Sequence, residues 1–145
     1  MNCSVSNVFS CTVDTLRSDH SYCVYAKASD DESVRFAVPV SDMMFQRFNF
    51  SVGEQCHVFF NADNVLLFKT GGTWTFSSGN VFGGTVESIR PTQDTVVVYV
   101  KVAENVIIKS KFSAFLAEKM ELRVGDAVDV VIKANQIMLG RENKK

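Results

Sequence analysis

Few residues in this chain have the type and spacing that covalent chemistry needs. The two histidines, His20 and His57, have no partner at catalytic or metal-ligand spacing, so surface or hydrogen-bonded structural roles are expected for both. No Ser/His/Asp or Cys/His pattern, paired-carboxylate motif or phosphate-cradling loop is present. The four cysteines, Cys3, Cys11, Cys23 and Cys56, all fall in the first half at spacings of 8, 12 and 33 residues. Those spacings match no zinc site, and a disulfide frame would be expected to serve both halves. The cysteines are therefore expected to be reduced thiols filling core or strand positions. These readings exclude catalytic and metal residues and predict a protein that is not an enzyme.

What remains are short polar groups beside strand-forming runs. Ser41 and Ser113 each precede an apolar pattern of helical period and could cap it. Asn7 and Asn80 each stand before a strand and could fix the turn into it. Ser77 and Ser78 read as turn formers, and Lys133 as a solvated lysine at a strand end.

These groups come in pairs because the chain repeats. Asn7-Val8-Phe9-Ser10-Cys11-Thr12-Val13-Asp14-Thr15-Leu16-Arg17 aligns with Asn80-Val81-Phe82-Gly83-Gly84-Thr85-Val86-Glu87-Ser88-Ile89-Arg90. Farther on, Ser41 aligns with Ser113, and Val52-Gly53-Glu54 with Val124-Gly125-Asp126. The stretch from Asn61 to Leu67 aligns with that from Lys133 to Leu139. The offset changes only from 73 to 72, one residue lost in a loop. Residues 1–69 and 74–145 thus form two repeats, with a short break at 70–73 around Gly71 and Gly72.

Each repeat is rich in strand signals. Val86–Ile89 and Thr95–Val102 are β-branched and aromatic, with the turn-like Arg90-Pro91-Thr92-Gln93-Asp94 between them. Val106–Ile108 follows a short connection that suits a hairpin. A short helix is expected over Ser113–Met120 and its partner Ser41–Phe48, and two final strands over Ala127–Lys133 and Gln136–Leu139. The order strand, strand, strand, short helix, strand, strand predicts a mainly β protein of two tandem OB-like five-stranded barrels, each with one short helix. The break between them is short, so the repeats should pack together.

Composition fits: the 145 residues are 46% hydrophobic and 21% charged, with a net charge of −1. No global basic field exists to hold a nucleic-acid backbone, so no nucleic-acid partner is expected. No apolar run reaches the roughly 18 residues of a membrane span, and the first residues lack the pattern of a secretory signal. No membrane association and a cytoplasmic location are expected.

The pattern Asn80-Val81-Phe82-Gly83-Gly84-Thr85-Val86, then a hairpin, a Ser-led helix, Leu122-Arg123-Val124-Gly125-Asp126 and Val131 to Gly140 resembles the Mop/TOBE family. Its tandem layout is similar to that of the dimop-type molbindins. The resemblance covers nearly all of both repeats and is closer for the second. It implies OB-like barrels, a homotrimer, and molybdate or tungstate held at subunit interfaces for storage, buffering or sensing. The alternative it leaves is a TOBE-like regulatory or assembly module that packs on a protein partner and binds no anion.

A tetrahedral dianion needs backbone amides, hydroxyls and a lysine, without acidic neighbours. Carried over by position, the resemblance implies oxyanion contacts in the second repeat from Ser77, Ser78, Gly79, Asn80, Ser110, Ser113, Lys133 and Ala134. In the first repeat it implies Ser4, Ser6, Asn7, Ser41 and Asn61. The family's arginine before the first strand is replaced by Ser6 and Gly79, and its lysine in the first repeat by Asn61. Apolar strand surface in excess of what two tiny barrels can hide points, with the resemblance, to the trimer.

Overall fold

The computed structural model describes residues 5–17, 22–69, 76 and 79–142. In the first repeat, β1 (Ser6–Arg17), β2 (Cys23–Ala28) and β3 (Arg35–Pro39) lead into α1 (Asp42–Phe48), then β4 (Gln55–Asn61), a 3-10 turn (Ala62–Asn64) and β5 (Val65–Phe68). The second repeat runs β6 (Val81–Thr92), β7 (Thr95–Ala103), β8 (Val106–Ser113), α2 (Ala114–Lys119), β9 (Ala127–Ile132), a 3-10 turn (Ala134–Gln136) and β10 (Met138–Gly140). The order expected from sequence is realised in both, and the mainly β, OB-like class with it. The break at 70–73 lies outside the described residues.

Local chemistry accounts for the elements. The side chains of Ser41 and Ser113 accept hydrogen bonds from the amides of Met44 and Leu116, each at 3.1 Å, and so start the two short helices. Before β4 and β9 the chain turns at Gly53 and Gly125, with φ of 93° and 96°, a region that a Cβ disfavours. The acid that follows closes each turn: Glu54 Oε1 accepts from Ser51 N at 2.6 Å, and Asp126 Oδ2 from Arg123 N at 2.8 Å. Both long first strands bulge at the same repeat position, between Val13 and Thr15 and between Val86 and Ser88. The turn expected over Arg90–Asp94 is tighter than that span, because pairing continues to Thr92 and Thr95 and leaves Gln93, at φ 53°, and Asp94 to reverse the chain.

In space the repeats exchange their last strands. One sheet has the order β10-β4-β1-β2-β3 and the other β5-β9-β6-β7-β8. Each sheet is therefore four strands of one repeat completed by the fifth strand of the other. β10 pairs antiparallel with β4 (Met138 opposite Phe59), and β5 pairs with β9 (Leu66 opposite Val131).

The exchange gives one continuous core instead of two. Val13, Val24, Phe36, Val38 and Val58 of the first sheet join Val86, Val98, Val100, Ile108, Val130 and Ile132 of the second in one buried cluster. Phe36 and Phe82, one from each repeat, meet edge to face with centroids 5.4 Å apart. Cys11 and Cys56 are buried opposite one another on β1 and β4, and Cys23 is half-buried on β2; all three are free thiols.

Candidate functional site

Two asparagines join the repeats. Asn7 Nδ2 donates to Lys109 O at 2.9 Å, and Lys109 N donates to Asn7 Oδ1 at 2.8 Å. At the matching place, Asn80 Nδ2 donates to Ala37 O at 2.9 Å, and Ala37 N donates to Asn80 Oδ1 at 2.8 Å. Lys109 and Ala37 are themselves counterparts, so the two clasps are related by an internal pseudo-twofold. Both asparagines are fully buried. Their side-chain amides mimic a strand edge and satisfy the free edges of β8 and β3.

A second matched pair locks the exchanged strands. Arg141, after β10, bonds Glu54 through Nε at 2.8 Å and Phe48 O through Nη2 at 2.9 Å. Lys69, after β5, reaches Met120 O and Glu121 O at 3.1 Å each and lies 3.5 Å from Asp126 Oδ2. Each cation meets the C-terminal carbonyls of the other repeat's helix, where the helix dipole favours positive charge, and the acid of the adjoining turn.

Several residues implicated from sequence are taken up by this frame. The side chains of Asn7 and Asn80 are spent on the clasps. Ser110 is fully buried and donates from Oγ to Val65 O at 2.6 Å, tying β8 to the exchanged strand β5. Ser41 and Ser113 hold helix amides. The side chains of Asn7, Asn80 and Ser110 are thus buried and already hydrogen-bonded within the protein. Ser4, Ser77 and Ser78 lie outside the described residues.

Other implicated residues are free and come together. Ser6, at the start of β1, stands opposite Asn61, at the end of β4. Both line a groove of about 560 Å³ whose polar wall is Ser6, Asn61, Asn64, Asn135 and Gln136 and whose apolar wall includes Val8, Phe59 and Met138. Asn135, Gln136 and Met138 come from the other repeat, carried there by the exchanged strand. The five polar side chains make no hydrogen bond within the protein among the described residues, so their donors face the groove or solvent. Among the described residues no charged side chain lines it.

In the second repeat, β6 and β9 keep the equivalent register. Val81 faces Val131, and Ile132 N donates to Asn80 O at 3.0 Å. That register carries Gly79 opposite Lys133, as Ser6 is opposite Asn61. Lys133 is exposed and forms no ion pair among the described residues, and Ala134 after it is half-buried. One half thus offers a neutral wall and the other a cation.

Sequence reasoning missed Asn64, Asn135 and Gln136. A signal existed, since Asn61-Ala62-Asp63-Asn64 and Lys133-Ala134-Asn135-Gln136 are aligned amide-rich runs. Their convergence from opposite repeats depends on the strand exchange.

Nucleophilic chemistry has no support in the thiols. Burial, reinforced by the facing Cys56, pushes the Cys11 thiol up to about 12. Burial and then Glu54 push Cys56 up to about 11. Both are protonated and inert at neutral pH. No group of three or more metal-ligating side chains occurs among the described residues. A further, largely apolar groove of about 490 Å³ runs between β5, β8 and α2, floored by Leu66, Phe68, Phe112, Leu116 and Met120 and edged by Asp63, Lys69 and Lys111. No helix among the described residues is long and apolar enough to cross a membrane.

Residues 77–139 match the family model of the TOBE domain. No curated protein matches the chain. A solved structure, that of the cytoplasmic molybdate-binding protein ModG with molybdate bound, superposes with a TM-score of 0.82 at 23% identity, over 97% of this chain and 99% of that one. At that identity the likeness concerns the fold, and it takes in both repeats.

Proposed function

We propose that this chain, whose second repeat belongs to the TOBE domain family, binds molybdate-type oxyanions and acts by binding, not by catalysis. The observation that carries the reading is the contrast between spent and unspent polar groups. Every buried amide and hydroxyl of the frame has a protein partner, and no buried side-chain polar atom among the described residues lacks one. The side chains about the ends of β4 and β9, in contrast, make no hydrogen bond or ion pair among the described residues: Ser6, Asn61, Asn64, Asn135 and Gln136 on one side and Lys133 on the other. Hydroxyls, carboxamides and an ammonium are the donors that a tetrahedral dianion requires. The likeness to ModG, a molybdate-binding protein, agrees with that choice.

The open shape of the sites suggests that a further copy of the chain completes them. Apolar residues that one chain leaves exposed support this, with Met43 70%, Phe115 68% and Met138 67% accessible. They occur at matched repeat positions: Met43, Met44 and Met138 are the counterparts of Phe115, Leu116 and Leu66, all exposed. A homotrimer in which such patches meet is the assembly proposed, with intracellular storage, buffering or sensing of molybdate or tungstate as the role. Bound anion would raise the unfolding free energy by about 2.7 kcal/mol at a hundredfold excess over Kd. The melting temperature should therefore climb in millimolar molybdate and much less in sulfate. A melt indifferent to both anions would instead favour a TOBE-like module that packs on a partner protein.

A further inference from the structure

The pseudo-twofold has a consequence at the cationic half of the molecule. Clasps, cation locks and exchanged strands all obey it, so a residue's surroundings in one repeat locate its counterpart in the other. In the first repeat the groove puts Asn61 together with Asn135, which is delivered from the opposite 3-10 turn. The counterpart of Asn61 is Lys133, and the counterpart of Asn135 is Asp63. Asp63 is exposed and makes no hydrogen bond or ion pair among the described residues. It comes no closer than 4.0 Å to Lys133, as the two form no salt bridge. By the repeat symmetry a carboxylate, which also edges the apolar groove beside Lys69 and Lys111, takes the place that a carboxamide has in the neutral groove.

We infer that Asp63 is a specificity-determining residue of the Lys133 site, opposing the dianion that the lysine attracts and holding its affinity down. This rests on the oxyanion reading above. In water-like dielectric a carboxylate opposing a dianion would weaken binding roughly 5–10-fold at a separation of about 7 Å. That repulsion is strongest for fully charged dianions and fades at high salt, where the Debye length falls to about 3 Å at 1 M. Asp63 therefore offsets the lysine, makes occupancy less dependent on ionic strength than in a lysine-only site, and sets the working concentration range of the site above that of such a site.

The test is calorimetric titration of the full chain with sodium molybdate, at low and at 1 M ionic strength. The proteins compared are the wild type, Asp63→Asn and, as a control with the same change in net charge, Glu118→Gln on α2. Asp63→Asn should bind about 5–10-fold more tightly at low salt, with the gain shrinking below about twofold at 1 M. Glu118→Gln should bind as the wild type does. Equal affinities for wild type and Asp63→Asn, or an equal gain in both variants, would overturn the role of Asp63 while leaving oxyanion binding intact. Absence of heat from every protein, with assembly and melting unchanged, would overturn the oxyanion reading and this role together.

Discussion

Asn7 and Asn80 show how one side chain can stand in for a strand. Each amide makes two hydrogen bonds to a single residue of the other repeat, so removing it orphans a backbone N–H and a C=O together. A buried unsatisfied group costs about 1–3 kcal/mol, and Asn7→Ala or Asn80→Ala should lose about 3 kcal/mol of unfolding free energy in urea. The cysteines make a different prediction. Their folded pKa values, about 12 for Cys11 and about 11 for Cys56, lie above the ordinary thiol value. Between those limits the native state binds more protons than the unfolded one. Stability from the buried thiols is thus fully present below about pH 8.5 and lost as pH rises toward 11 to 12, by up to about 1.4 kcal/mol per pH unit per thiol. Replacing both by alanine should flatten that part of the stability–pH curve, as followed by urea unfolding from pH 8 to 10.5. The roles of the capping serines were among the readings that sequence offered, because capping is a local effect. The clasps were not, because a sequence shows that Asn7 precedes a strand but not that the edge of β8 lies beside it.

At the scale of elements, strand order, helix position and the Val-Gly-acid turns were all legible. β-Branched runs, an N-cap before a helical period and glycine at a required positive φ act within a few residues. Gly53→Ala and Gly125→Ala should each cost about 1 kcal/mol or more by forcing a Cβ into that region. The exchange of β5 and β10 was not legible. A short apolar strand such as Met138–Gly140 pairs equally well with either repeat's edge by composition, and the observed pairing is accompanied by bonds from Arg141 and Lys69 to distant acids and helix ends. Arg141→Ala should therefore destabilise the molecule by about 1–2 kcal/mol, mostly through the lost bonds to Glu54 and Phe48 O. An unchanged denaturant midpoint would show that β10 is held by its ladder and apolar contacts alone. The candidate site suffered from the same gap: Ser6 and Asn61 could each be named from sequence, whereas Asn135 and Gln136 join them only through the exchanged strand.

On the scale of the whole molecule, near-neutral net charge, matched exposed apolar residues, one neutral polar groove and an exposed lysine at the matching place are the features on which the proposed self-association and anion binding rest. The halves differ in the one property that matters most for a dianion, fixed positive charge. A charge-assisted hydrogen bond is about twice as strong as a neutral one, so sites lined by Lys133 should fill before those lined by Asn61. Light scattering should give three chains per particle at micromolar concentration, and a monomer would remove sites completed between copies. The most direct test of the central claim is one calorimetric comparison, molybdate titrated into the wild type and into Lys133→Ala, with sulfate as the reference anion. Saturable molybdate binding that sulfate does not match is expected, weakened by about 2 kcal/mol or more in Lys133→Ala with the assembly intact. Molybdate affinity unaltered by loss of the lysine, or no binding by the intact wild-type assembly, would contradict it.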